Sequence, residues 1–94
     1  MIVFKFLENE SRTAAYDGNR EIGRCSYDKL GSNLWDIICT FVEEPYRGNG
    51  IGKKMLEMVL DNAERRHVKI IPTCDFAHMI MYRDTKHEDL LYRK

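Results

Sequence analysis

The stretch Glu44-Pro45-Tyr46-Arg47-Gly48-Asn49-Gly50-Ile51-Gly52-Lys53-Lys54 constrains this chain more than any other. Before it, Leu34–Val42 is rich in β-branched and aromatic residues and reads as a strand. After it, Ile51–Arg66 reads as an amphipathic helix. Between the two, glycine stands at 48, 50 and 52, and Arg47, Lys53 and Lys54 supply positive charge. No acid intervenes between Glu44 and Glu57. Glycine lets backbone N–H groups turn toward a ligand and approach it closely. A helix N-terminus adds N–H donors without partners and a partial positive charge. Together they predict an anion site, most naturally for phosphate. The competing reading is a glycine-rich turn with solvated lysines; glycine at three alternating positions weighs against it.

Spacing decides which phosphate site this is. A nucleoside-triphosphate loop needs G-x-x-x-x-G-K-[ST]. Gly48 to Gly52 is one residue short of that, and Lys54 stands where a magnesium-binding Ser or Thr belongs. A dinucleotide fingerprint needs G-x-G-x-x-G; Gly48 and Gly50 fit, but the third position is Lys53. What fits is R-x-x-G-x-G, read as Arg47, Gly50 and Gly52. This resembles the pyrophosphate-binding motif of the GCN5-related N-acetyltransferases, which use acetyl-coenzyme A.

Ninety-four residues, 44% of them apolar, predict one globular domain over 1–94. A core this small leaves little spare stability, so most elements must contribute to it. The formal net charge is zero, so neither general nucleic-acid binding nor membrane binding is expected. The basic character is local, at Arg47, Lys53 and Lys54, which suits a small anionic ligand. Met1-Ile2-Val3-Phe4 is interrupted by Lys5, which argues against a secretory signal, and no run approaches transmembrane length. Cys25, Cys39 and Cys74 suit neither a disulfide framework nor a zinc ribbon, and a reducing cytoplasm is the expected location.

Along the chain, Ile2–Glu8 alternates as a strand, with Ile2, Phe4 and Phe6 on one face. Arg12–Tyr16 is a second strand, Asp17-Gly18-Asn19 a hairpin turn, and Glu21–Tyr27 a third strand. Lys29–Asn33 reads as another turn and Leu34–Val42 as the central strand. In the helix, Ile51, Met55, Val59 and Ala63 recur at four-residue steps, and Leu56 and Leu60 widen that stripe toward the core. Lys53 and Lys54 stand at contact spacing from Glu57, and Arg65 and Arg66 suit the helix end. Val68–Ile71 is a short strand ended by Pro72. The unit around the helix is therefore βαβ, with its two strands parallel and a right-handed crossover. Asp75 is expected to cap a short last helix through about Arg83. Thr85–Lys94 is expected to be a charged tail in which Leu90, Leu91 and Tyr92 dock. The resulting fold class is α/β, a mixed sheet of about five strands with a main helix and a short C-terminal helix.

That order is similar to the acetyltransferase fold from its second strand onward. More closely, the chain resembles the small, acetyltransferase-like subfamily of acetyl-coenzyme A binding proteins. Cys39-Thr40-Phe41-Val42, Arg47-Gly48-Asn49-Gly50-Ile51-Gly52 and Lys69-Ile70-Ile71-Pro72-Thr73-Cys74 carry the match, which covers nearly the whole chain. Cys39 departs from the histidine common there. Ordinary family members also carry two helices between their first and second strands, which help wall the acceptor site. Here only Asn9–Ser11 could fill that gap, so the acceptor pocket is expected to be shallow, open or completed by another molecule.

The resemblance implies a binding mode. The strands flanking the main helix splay, and the pantetheine arm of acetyl-coenzyme A or coenzyme A enters between them, pairing with backbone at about Phe41, Val42 and Glu43. The pyrophosphate lies on Gly48, Asn49, Gly50, Ile51, Gly52 and Lys53, with Arg47 shaping the turn and Lys53 or Lys54 reaching phosphates. Phe76, Met79 and Arg83 of the last helix, with Cys74 before it, cover the pantetheine and adenine. In this subfamily the cysteine matching Cys74 is the candidate nucleophile or proton donor, and Tyr82 stands where larger relatives place a phenolic acid. The competing reading makes both structural. Glu43 and Glu44 are alternative bases acting through water, or solvated loop acids. Cys25 and Cys39 are expected in the core or sheet, and Trp35 and Tyr46 are expected to pack. His67, His78 and His87 lack metal-ligand spacing, so no metal is expected and all three are expected at the surface. The activity this implies is acetyl transfer to a small amine or a protein lysine by a monomer or weak dimer. The alternatives are a non-catalytic acetyl-coenzyme A binding or sensing module, and a different phosphate ligand such as a nucleotide.

Overall fold

The computed structural model describes residues 1–93; Lys94, the last residue of the expected tail, lies outside them. Strands β1 (Ile2–Leu7), β2 (Arg12–Asp17), β3 (Arg20–Gly31) and β4 (Leu34–Val42) are joined by short turns. Helix α1 (Ile51–Arg65), strand β5 (Lys69–Pro72) and helix α2 (Asp75–Arg83) follow. The sheet runs in the order β1-β2-β3-β4-β5. Its first four strands are antiparallel and β5 lies parallel to β4, as the βαβ reading requires.

Register explains which side chains face α1. Phe4, Ala15, Gly23 and Val42 are successive partners across four strands, and so are Phe6, Thr13, Cys25 and Thr40. These rows lie under the helix. The intervening row, Lys5-Ala14-Arg24-Phe41, belongs to the opposite face, where Lys5, Arg24 and Phe41 are exposed. Strict alternation along β4 is broken. Ser26 pairs with Cys39 but Tyr27 with Ile37, so Ile38 is an extra residue. That bulge lets Trp35 and Ile37 face the core together with Thr40 and Val42, despite the odd spacing.

The core is one cluster. Ile51, Met55, Leu56, Val59, Leu60 and Ala63 of α1 bury the stripe that the sequence predicts, against Ile22, Tyr27, Trp35, Ile37 and Ile70 of the sheet and Ala77, Ile80 and Met81 of α2. Tyr27 and Trp35 stack at 4.1 Å between ring centroids, with Phe6 beyond them. Such aromatic pairs add about 0.5–1.5 kcal/mol to their burial.

Four expectations need correction. β3 runs on through Asp28–Gly31, because a tight reversal at Ser32–Asn33 lets Asp28, Lys29 and Gly31 pair with Asp36, Trp35 and Leu34. Asp75 does not cap α2. Cys74 does, held extended by its N–H donating to the Ile37 carbonyl at 2.8 Å, and no side chain caps the helix. The end of the chain is more than a docked tail: Thr85–Leu90 makes two short 3₁₀ turns with a kink at His87, and Leu91 forms a parallel bridge with Ile70. Leu90 and Leu91 do dock, whereas Tyr92 stays exposed. Finally, His87 is buried rather than at the surface, with its Nε2 3.1 Å from Asp61 Oδ1.

Candidate functional site

Two local events open a cleft beside the glycine turn. The β4–β5 ladder covers only Leu34–Ile37, paired with Lys69–Pro72. Beyond Ile37, the chain after β5 departs into α2, so the edge of β4 at Ile38–Val42 that faces away from β3 has no strand partner among the described residues. Into that gap opens a cavity of about 450 Å³. Thr40 and Val42 of β4, Arg47, Gly48, Gly50, Gly52 and Lys53 of the turn, and Phe76, Met79, Ile80 and Arg83 of α2 line it, with Tyr46 and Ile51 beside them.

The turn has a backbone geometry that can cradle an anion. Gly48 and Gly50 hold φ of 85° and 76°, left-handed values that cost a residue with a Cβ roughly 1–2 kcal/mol. A Cβ at either position would meet nothing within 4 Å, so conformation rather than crowding demands glycine there. Gly50 is the N-cap of α1, with no side-chain capping bond and no acid in the first turn. The first intrahelical bond is Lys54 N–H to Gly50 O at 3.1 Å, so the N–H groups of Ile51, Gly52 and Lys53 lack intrahelical acceptors.

Side chains pin the turn from outside. Arg47 Nε donates to Val42 O at 2.7 Å, folding the guanidinium back onto β4, and Asn49 Nδ2 donates to Tyr46 O at 3.0 Å. Tyr46 donates its hydroxyl proton to Asp17 in the β2–β3 hairpin, a hydrogen bond that pushes the phenol above its ordinary pKa. Arg20 in the same hairpin pairs with Glu43 at 2.6 Å. Lys53 stands on the cavity wall, 4.0 Å from Asp84, and makes no ion pair with Glu57. Lys54 instead extends over the Phe4 ring at 5.6 Å.

The structure thus gathers Val42, Arg47, Gly48, Gly50, Ile51, Gly52, Lys53, Phe76, Met79 and Arg83 around one cavity. It separates others from it. Phe41 lies on the opposite face of β4, flanked by Arg24 and Arg47. Glu43 gives its N–H to Ile22 O and its carboxylate to Arg20. Asn49 and Lys54 border the turn without lining the cavity. Tyr82 is exposed and does not line the cavity; its ring lies tilted against His78, with centroids 4.5 Å apart. Cys74 stands just behind the wall, its Sγ 3.5 Å from the hydroxyl of Thr40, which does line the cavity. The same hydroxyl lies 3.6 Å from Cys25 Sγ. Burial pushes the Cys25 thiol up to about 12, so it stays protonated.

Thr40, Tyr46 and Ile80 are lining residues that reading the sequence missed as site residues. Period-two alternation from Val42 points to Thr40, and the four-residue step from Phe76 points to Ile80.

A mixed sheet that parts beside an uncapped, glycine-led helix defines the acyl-coenzyme A N-acyltransferase class of α/β proteins. The chain belongs to the GCN5-related N-acetyl-transferase family, whose model matches residues 12–90. No curated protein matches it. Among solved structures it is similar to one described as a GCN5-like putative N-acetyltransferase from Staphylococcus aureus. That likeness is 26% identity over 98% of this chain and 89% of the other, with a TM-score of 0.77. A GNAT family acetyltransferase of Streptococcus pneumoniae shares 16% identity over 90% of this chain and 85% of its own, with a TM-score of 0.63. A GNAT family acetyltransferase of Elizabethkingia anophelis, solved with acetyl-CoA bound, shares 16% identity over 90% of this chain and 73% of its own, with a TM-score of 0.60. At 16% identity these last two speak to the fold alone.

Proposed function

We propose that the chain binds acetyl-coenzyme A in this cleft and transfers the acetyl group to a small amine or a protein lysine. The observation that carries the reading is the alignment of one cavity with both an unpaired strand edge and an uncapped helix N-terminus. The N–H groups of Ile51, Gly52 and Lys53 would hold the pyrophosphate, with Lys53 and Arg83 adding charge. The free edge of β4 would accept the amides of the pantetheine arm, and Phe76 and Met79 would cover it. Acetyl-coenzyme A supplies an acyl group already activated as a thioester. The amine nitrogen attacks the thioester carbonyl and gives up a proton to solvent water, the carbon–sulfur bond breaks, and the departing thiolate takes a proton. Cys74 is the assigned donor of that proton, or else the nucleophile that first takes the acetyl, with Thr40 orienting its thiol. The reading treats residues 1–94 as one cytoplasmic domain working as a monomer or weak dimer. No helix of the described residues is long and apolar enough to cross a membrane.

A second reading, a module that holds the cofactor without turnover, is favoured by one observation. A single 3₁₀ turn, Glu8–Glu10, joins β1 to β2, and the opposite sheet face is left with Val3, Ile38 and Phe41 exposed. No acceptor wall is built there. Calorimetry with acetyl-coenzyme A, coenzyme A, ATP and NAD tests the ligand. Preference for ATP or NAD would overturn both readings. Mass spectrometry of an amine and lysine-peptide panel then separates transfer from holding.

A further inference from the structure

Asp61, Glu64 and His87 form a second cluster, far from the cleft. Asp61 and Glu64 lie one turn apart near the end of α1, and about ten residues of helix, roughly 15 Å, separate them from the glycine turn. His87 comes from the 3₁₀ segment Thr85–Leu90. One potential ligand atom from each residue lies within 4.8 Å of the other two, and His87 Nε2 is 3.1 Å from Asp61 Oδ1.

The charges around this cluster are unbalanced. Neither carboxylate pairs with a lysine or arginine among the described residues. The two arginines that follow Glu64 in sequence are engaged elsewhere: Arg65 donates to Asn62 Oδ1 at 2.8 Å, and Arg66 holds Glu8. Both acids also sit at the negative end of the helix dipole, where anions are disfavoured. Burial fixes the imidazole, since His87 is 5% exposed, while Asp61 and Glu64 are exposed and can adjust. Bonds of about 2.0–2.2 Å to imidazole nitrogen and carboxylate oxygen put such ligands in reach of one ion after a rotamer change at Glu64. One imidazole and two carboxylates suit a borderline divalent cation, with solvent completing its shell.

We propose that Asp61, Glu64 and His87 bind a divalent cation of the Zn²⁺ and Co²⁺ class, which clasps the segment Thr85–Leu90 to the end of α1. The segment is otherwise held by the buried Leu90 and Leu91 and by Lys69 Nζ donating to Asp89 O at 2.6 Å. A cation bound only to the folded state would raise Tm with concentration. The three ligands join two elements distant in sequence, which is why spacing along the chain does not reveal them.

The test is titration of chelator-treated protein with Zn²⁺ by calorimetry and with Co²⁺ by visible absorption. One saturable site is expected, with a rise in Tm. Glu64→Gln and His87→Gln should each weaken binding by roughly 10–100-fold, the scale seen when even a ligand-orienting group is lost. Glu64 is exposed and outside the His87–Asp61 hydrogen bond, so Glu64→Gln tests the site even if His87→Gln fails to fold. Absence of saturable binding, or unchanged affinity in Glu64→Gln, overturns the proposal. A thiolate-to-cobalt absorption band also overturns it, because it would place the ion on cysteine.

Discussion

Gly52 of α1 rests against Phe76 of α2: a Cβ at position 52 would lie 3.4 Å from the phenyl Cζ and 3.5 Å from Thr40 Cγ2. The first turn of the helix therefore touches both walls of the cleft. A methyl group fits at that distance, and a helical residue gains from losing glycine's chain entropy. Gly52→Ala should hold or raise stability by about 0.5–1 kcal/mol. Gly52→Val places branches against Phe76 and should narrow the cleft. Thermal unfolding and cofactor calorimetry check the pair. A clear loss of stability in Gly52→Ala would mean that the contact is tighter than described.

Gly50 has the opposite constraint. Its φ of 76° penalises any Cβ, although space around it is open. Gly50→Ala should cost about 1–2 kcal/mol of stability. Gly50→Val should also lose acetyl-coenzyme A binding, since each charge-assisted phosphate contact is worth roughly 1.5–3 kcal/mol. Wild-type affinity in a folded Gly50→Val protein would remove the phosphate site from the turn.

Cys74→Ala separates chemistry from binding. Turnover should fall by about 10²-fold or more, the range of acid–base contributions, with affinity little changed. Cys74→Ser keeps the volume but is far less acidic and nucleophilic. Wild-type rates in both variants would assign the cysteine to structure and leave the acceptor amine to attack directly. An acetyl group found on Cys74 without turnover would favour the holding module.

Cys25 should resist alkylation where half-buried thiols react. Burial raises its pKa from 9.0 to about 12, so at about pH 8 almost no thiolate forms. Peptide mapping after iodoacetamide should find Cys25 unmodified in folded protein. The same shift has a sign for stability. The folded state keeps a proton that the unfolded chain loses above pH 9.0, so this contribution is fully present below pH 9.0 and declines as pH rises toward about 12. Equal labelling of Cys25 and Cys74 in native protein would contradict the burial.

Much of this was legible because local chemistry and the fold agree. Leu34–Val42 is a strand in the bounds its composition predicts, and the α1 stripe is buried as its period requires. The glycine turn stands where R-x-x-G-x-G placed it. What escaped depends on three-dimensional register. Phe41, Val42 and Glu43 are expected to pair through their backbone, and alternation along the strand sends the Phe41 side chain to the face away from the cavity. The bulge at Ile38, which shifts the phase of β4, leaves no mark in composition. His87 looked solvated in a charged tail, yet Leu90 and Leu91 draw that tail onto α1 and β5 and bury the ring.

The short β4–β5 ladder has a further consequence, for solubility. Beyond Ile37, alternate residues of β4 turn backbone groups away from β3; Arg47 meets the Val42 carbonyl and no strand among the described residues takes the rest, the kind of edge that templates aggregation in other sheets. Here Phe76 and Ile80 of α2 form the facing wall of the cavity, on the side from which an incoming protein strand would approach. The same gap is where the proposed pantetheine arm would lie. The helix that shapes the pocket thus also protects the chain from its own kind, and loosening α2 should cost dispersity in solution before it costs the fold.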